Sequence, residues 1–153
     1  MQPQEPTAGL TIRNDVAELV LVTEALDQLG ERIGFPPKAL MQFQVALDEI
    51  LSNVVRYAWP DGGSHTFCVR IEDRGSDLAV VVTDDGLAFD PRAQPPPGPA
   101  GGRRPRPGGV GIQMVRQLVD GFDYARIGNL NCVTLIKRSG LDKTNKEEGS
   151  DGN

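Results

Sequence analysis

Val45-Ala-Leu-Asp-Glu-Ile-Leu-Ser-Asn53 carries two patterns at once. Leu47, Ile50, Leu51 and Val54 recur at the three-and-four spacing of one helical stripe, and Leu40, Phe43 and Ala58 extend that stripe at both ends. Glu49 and Asn53 stand four residues apart, so their side chains lie one turn apart on a shared face. A carboxylate there can take a proton from an attacking hydroxyl, and a carboxamide oxygen suits a hard cation such as Mg²⁺ held mainly by phosphates and water. Asp48 is a rival acid, but it sits about 100° around the helix from Glu49 and misses the Asn53 face. The same three residues also satisfy a plainer reading, the solvated side of an amphipathic helix.

Outward from this segment, Pro36-Pro37 opens the helix and Pro60-Asp-Gly-Gly63 stops it near Trp59. Upstream, residues 9 to 13 read as a strand, after which Asn14 caps a helix running to Gly34 with Val16, Leu19, Val20, Leu26, Leu29 and Ile33 as its apolar positions. Downstream, Thr66–Glu72 and Leu78–Thr83 form a predicted hairpin around Asp73-Arg-Gly-Ser-Asp77. Residues 91 to 109, dominated by proline, glycine and arginine, read as a long mobile loop. Val110, Met114, Val115, Leu118 and Val119 then mark a third helix, and Tyr124–Ile127 with Cys132–Lys137 mark a last pair of strands. The expected architecture is an α+β two-layer sandwich, a mixed and mainly antiparallel sheet covered on one face by helices, over residues 9–138. Residues 1–8 and 139–153 are expected to be disordered.

Asp84 ends the second hairpin strand and is followed by Asp85-Gly86. That is ordinary turn chemistry. It is also a carboxylate placed to accept a hydrogen bond from an adenine amino group, with Gly86 letting the base approach the backbone. Gly108-Gly109-Val110-Gly111 precedes the third helix, where exposed backbone N–H groups can seat phosphates; a flexible join is the alternative. It is neither a Walker-A loop nor a GxGxxG after a strand. Arg103, Arg104 and Arg106 lie just before it, within reach of a triphosphate if the loop closes as a lid, or simply as a solvated basic loop.

The 153 residues, 39% of them apolar, suffice for one domain with an ordinary core. Sixteen basic against twenty-one acidic residues give a net charge of −5, which argues against general affinity for nucleic acid or anionic membrane. No apolar run spans a bilayer and the first residues lack a signal-peptide pattern, so a cytoplasmic protein is expected. Cys68 and Cys132 lack metal-type spacing and sit in apolar runs, as small buried hydrophobes do.

Taken in order, the three motifs resemble those of the Bergerat-fold (GHKL) ATPases, the superfamily of gyrase, histidine kinases and MutL. The closer resemblance is to its serine-kinase branch, the bacterial anti-sigma factors. Val45–Asn53 is similar to that family's N box, Thr83-Asp-Asp-Gly-Leu-Ala-Phe-Asp-Pro91 to its first glycine box and Gly108-Gly-Val-Gly-Ile-Gln-Met-Val-Arg116 to its second. The resemblance spans about residues 10–138 and includes Leu118-Val-Asp120 and Asn131–Lys137. It implies that Glu49 is the general base, Asn53 the magnesium ligand, Asp84 the adenine-binding aspartate, Gly109 and Gly111 the phosphate-loop glycines, and Thr134 a pocket-lining threonine. Ala88 departs from the wider superfamily's second glycine, and Tyr57 stands where some relatives carry histidine.

The resemblance further implies an ATP- and Mg²⁺-dependent serine/threonine kinase. Its substrate would be a STAS-fold anti-sigma-factor antagonist that competes with a sigma factor for the kinase, and the kinase would be a homodimer. A different class, a nucleotide-gated binding module with little kinase activity, uses the same ATP pocket and differs only in whether Glu49 meets an acceptor hydroxyl.

Overall fold

In the computed structural model, which describes residues 7–93 and 107–140, alternation of side chains sets the layers. The elements are β1 (Thr7–Arg13), a 3₁₀ turn (Val16–Glu18), α1 (Leu19–Ile33), α2 (Pro37–Tyr57), β2 (Thr66–Asp73), β3 (Asp77–Asp84), α3 (Pro107–Leu118), β4 (Gly121–Ile127) and β5 (Leu130–Arg138). Phe67, Val69 and Ile71 of β2, Leu78, Val80 and Val82 of β3, and Val133 and Leu135 of β5 are buried in one core with the apolar stripes of the helices. Burial of each such side chain stabilises the fold by roughly 1.5–3 kcal/mol before entropy is counted.

The sheet order is β1-β2-β3-β5-β4, and every pairing is antiparallel. The expected mixed sheet is thus corrected to an antiparallel one. β4 runs parallel to β3, but β5 folds back between them and separates the two. Its register with β3 sets Asp84 opposite Asn131.

Helix α2 starts with Pro37 at its first position and buries the expected stripe of Leu40, Phe43, Leu47, Ile50, Leu51 and Val54, with Ala58 just beyond its end. Gly34 terminates α1 in the left-handed region, at φ 73°, a conformation that favours glycine. The start of α1 departs from expectation. Asp15 caps the preceding 3₁₀ turn, accepting the Ala17 N–H at 3.0 Å, and α1 itself starts after Glu18 without a side-chain cap, while Asn14 bridges to Gly63 O and the His65 N–H. The intervening 3₁₀ turn shifts the helical register, so Val16 and Val20 are exposed and Val22 takes an inward position.

Several boundaries move, β4 starting at Gly121 rather than Tyr124 and β5 at Leu130 rather than Cys132. β1 begins at Thr7 rather than residue 9, with residues 1–6 outside the described set. α3 begins at Pro107, so the glycines expected to precede it form its first turn. The expected loop therefore ends earlier than residue 109, and 94–106, with Arg103, Arg104 and Arg106, lies outside the described residues, as does 141–153. The two cysteines are also corrected: Cys68 is exposed and Cys132 half-buried. Each alternates with inward residues and so points to the sheet face away from the helices, where Cys68 meets Thr11 and Cys132 meets Thr83. Among the described residues no helix is long and apolar enough to cross a membrane.

Candidate functional site

The C-terminal half of α2, the end of β3 and the start of β5 meet at a small cleft partly open to solvent. Helix α2 lines it with Ile50, Asn53, Val54 and Tyr57, the end of β3 with Asp84, the segment that follows with Leu87 and Phe89, and β5 with Asn131. It is mainly apolar with a few convergent polar groups, the character of small-molecule sites.

Asn53 is only 5% exposed, which overturns the solvated-face reading for it. Its carboxamide oxygen and nitrogen are buried without a hydrogen-bond partner, as is Glu49 Oε2. Each such atom costs about 1–3 kcal/mol if nothing ever pairs with it, so three clustered on one helix face mark a place built for something else. Burial pushes the Glu49 carboxyl above its ordinary range; the Arg56 charge draws it back and Asp48 adds to the rise. Asp48 itself is exposed. The orphaned oxygens of Asn53 and Glu49 fit a hard cation that takes its other ligands from phosphates and water. No group of three carboxylate, histidine or cysteine side chains among the described residues could hold a metal alone.

Asp84 is 6% exposed, and its Oδ1 accepts from the Gly86 N–H at 2.8 Å and from Asn131 Nδ2 at 2.9 Å. Gly86 has a packing role beside the expected approach of a base. A Cβ there would overlap the Ala58 carbonyl, so the missing side chain lets this turn pack on the end of α2. The Leu87 N–H bonds Ala58 O at 2.9 Å, the Trp59 indole bonds Asp85 Oδ1 at 3.0 Å and Arg126 bonds Gly86 O at 3.0 Å. The turn is thereby strapped to two elements.

Gly109 and Val110 lie in the first turn of α3, whose leading N–H groups lack partners within the helix. A Cβ at Gly111 would overlap the Glu49 carboxylate, so glycine lets this backbone rest on the acid. Glu49, Asn53, Asp84, Gly86 and Gly111 are thus drawn to one region. Thr134 is not: it alternates with buried Val133 and Leu135 and pairs with Val81, which places it on the far sheet face. The strand position that reaches the cleft is Asn131, in phase with Val133 and Leu135. Sequence reasoning missed it, although the same alternation could have found it. Tyr124, whose hydroxyl donates to Asn131 Oδ1, was also missed.

Residues 12–137 match the family described as "Histidine kinase-like ATPase domain". The chain is 28% identical over 138 residues to serine/threonine-protein kinase BtrW of Bordetella bronchiseptica, covering 85% of this chain and 97% of that protein. It is 26% identical over 125 residues to serine-protein kinase RsbW of Halalkalibacterium halodurans, covering 78% and 74% respectively. Among solved structures, the RsbU and RsbW domains of Rv1364c from Mycobacterium tuberculosis share its fold, with a TM-score of 0.64 at 17% identity over 88% of this chain and 32% of that one. The histidine kinase domain of the blue-light activated kinase EL346 from Erythrobacter litoralis does so with a TM-score of 0.54 at 22% identity, over 84% and 63%. A fold, a cleft and a motif order that agree with the match across most of the chain establish that this protein belongs to the histidine kinase-like ATPase domain family.

Proposed function

We propose that this chain is a serine/threonine protein kinase and anti-sigma factor that phosphorylates a STAS-fold anti-sigma-factor antagonist. The observation that carries the reading is the set of buried, unpartnered oxygens on Glu49 and Asn53 beside the Asp84 cleft. The kinases BtrW and RsbW among its relatives support the same class of reaction.

Asp84 receives the adenine amino group, the first turn of α3 faces the phosphates, and Asn53 would hold Mg²⁺ through its carboxamide oxygen. ATP supplies the phosphoryl group, and Mg²⁺ held there would offset its charge. Glu49 accepts the proton of the substrate hydroxyl as its oxygen bonds to the γ-phosphorus, and the bond to the bridging oxygen of ADP breaks. A carboxyl raised by burial is a stronger proton acceptor when ionised than an exposed one. The product carries about −2 charge at one side chain, enough to disfavour an interface that held the neutral hydroxyl, and a sigma factor is then free to take its place.

One observation favours a second reading, a nucleotide-gated binding module. The α3 backbone at Gly111 lies on Glu49 and covers its buried Oε2, one of the two oxygens an incoming hydroxyl would meet. Transfer from γ-labelled ATP with Mg²⁺ into a source-cell lysate, comparing wild type with Glu49→Ala, separates the two. One small labelled protein seen with wild type alone supports the kinase; no label despite retained ATP binding supports the module.

A further inference from the structure

Asn131 is 3% exposed and sits where β5 enters the cleft. Its amide nitrogen donates to Asp84 Oδ1 at 2.9 Å and to Leu87 O at 2.8 Å. Its oxygen accepts from the Phe89 N–H at 3.2 Å and from the Tyr124 hydroxyl. A carboxamide has two N–H donors and an oxygen with two lone pairs, so this one is saturated. Its orientation is also determined. A flipped amide would turn its oxygen on the Asp84 carboxylate and the Leu87 carbonyl, and its N–H groups on the Phe89 N–H. Asn131 consequently has nothing left to offer a ligand and acts through its neighbours.

We propose that Asn131, anchored by Tyr124, is a positioning residue that sets the Asp84 carboxylate for adenine and so determines nucleotide selectivity. With Oδ1 engaged by Gly86 and Asn131, Asp84 presents Oδ2 as the acceptor. An acceptor fixed in place discriminates strongly between a base with an amino group there and one with an oxygen, because the wrong base leaves it unpaired. A carboxylate free to rotate discriminates less. The same amide ties down Leu87 and Phe89, which wall the cleft, so one side chain couples the base acceptor to the shape around it. This inference rests on the assignment of Asp84 to the adenine amino group.

The decisive variant is Asn131→Asp, which keeps the shape and replaces the donor by a carboxylate facing Asp84. The groups around position 131 are Asp84, Tyr57 of α2 and Tyr124 of β4; Arg126 is engaged with Gly86 O, Asp85 with Trp59 and Asp90 with Arg92. Two carboxylates so placed retain a shared proton at mildly acid pH, and that proton restores an O–H donor to Asp84. Calorimetric binding of Mg·ATP and Mg·GTP to the full chain at about pH 8 and about pH 5.5 therefore distinguishes positioning from simple damage. Asn131→Asp is expected to bind ATP at least about tenfold more weakly at the higher pH, with a narrowed ATP-to-GTP preference, and to recover on acidification while wild type does not gain. Loss that is equal at both pH values, or no loss, overturns the proposal. Tyr124→Phe decides the matter if Asn131→Asp fails to fold by circular dichroism: a narrowed preference supports the proposal and an unchanged one overturns it. Failure of wild type to bind ATP would instead remove the Asp84 assignment beneath it.

Discussion

The α-carbon of Gly111, in the opening turns of α3, rests against the carboxylate of Glu49, so closely that a single added methyl group would overlap Cγ, Cδ and Oε2 of the acid. The acid and the glycine-bearing helix are therefore packed so closely that bulk added to either displaces the other. Gly111→Ala should drive the Glu49 side chain, met at Cγ as well as at its carboxylate, out of place or push the start of α3 away from α2. Overpacking of this kind costs about 1–3 kcal/mol, which in a chain of this size lowers the melting temperature by several degrees. With the phosphate seat displaced, ATP affinity should fall about tenfold or more, because each 1.4 kcal/mol of lost contact is a factor of ten. Calorimetry at a temperature where the variant is folded checks this, and unchanged affinity would detach Gly111 from the phosphates.

Glu49→Ala should keep nucleotide binding and lose phosphotransfer. A positioned base contributes about 10²–10⁴-fold, so kcat should drop by that factor while the KM for ATP stays near the wild-type value. Steady-state kinetics with the labelled substrate read both. A rise in KM with kcat preserved would make Glu49 a binding group rather than a base.

Glu49 and Asn53 were legible in the sequence because helical spacing alone places them together, and the register of α2 was anchored by an unbroken apolar stripe. Asp84 was legible because a strand end followed by Asp-Gly is a local signal. The strap around it was not, since Ala58, Trp59, Arg126 and Asn131 reach the turn from three other segments. The role of Thr134 went wrong by parity: resemblance supplied a threonine on the right strand, and burial of Val133 and Leu135 turns that position outward. Likewise, apolar neighbours of Cys68 suggested a core residue, whereas alternation in a sheet covered on one face exposes it.

The single tryptophan of the chain, Trp59, bonds Asp85 and stacks on His65 at 4.7 Å between ring centroids. It therefore contacts the residue next to the proposed adenine acceptor and should report on the cleft. Mg·ATP is expected to change the intrinsic fluorescence of wild type in a saturable way. Asp84→Asn, which swaps an acceptor oxygen for a donor nitrogen or leaves the pair mismatched, should lose the response together with ATP binding. A normal titration by Asp84→Asn would place the base elsewhere.

The raised pKa of Glu49 has a consequence for stability as well as for catalysis. Its folded-state pKa lies above the unfolded value, so between the two the native state binds more protons than the unfolded chain. Stability contributed by this group is therefore highest at acid pH and declines as pH rises through the folded pKa, the reverse of a salt-bridged carboxylate. Glu49→Gln keeps the size and removes the ionisation. It should melt at a higher temperature than wild type near neutral pH, and the gap should close as the pH falls toward the ordinary carboxylate range. Thermal melts of both proteins across that range test this directly. A constant gap would mean that the gain comes from packing, while a wild type that is the more stable protein at neutral pH would mean that the ionised carboxylate has a partner in solution that compensates its burial.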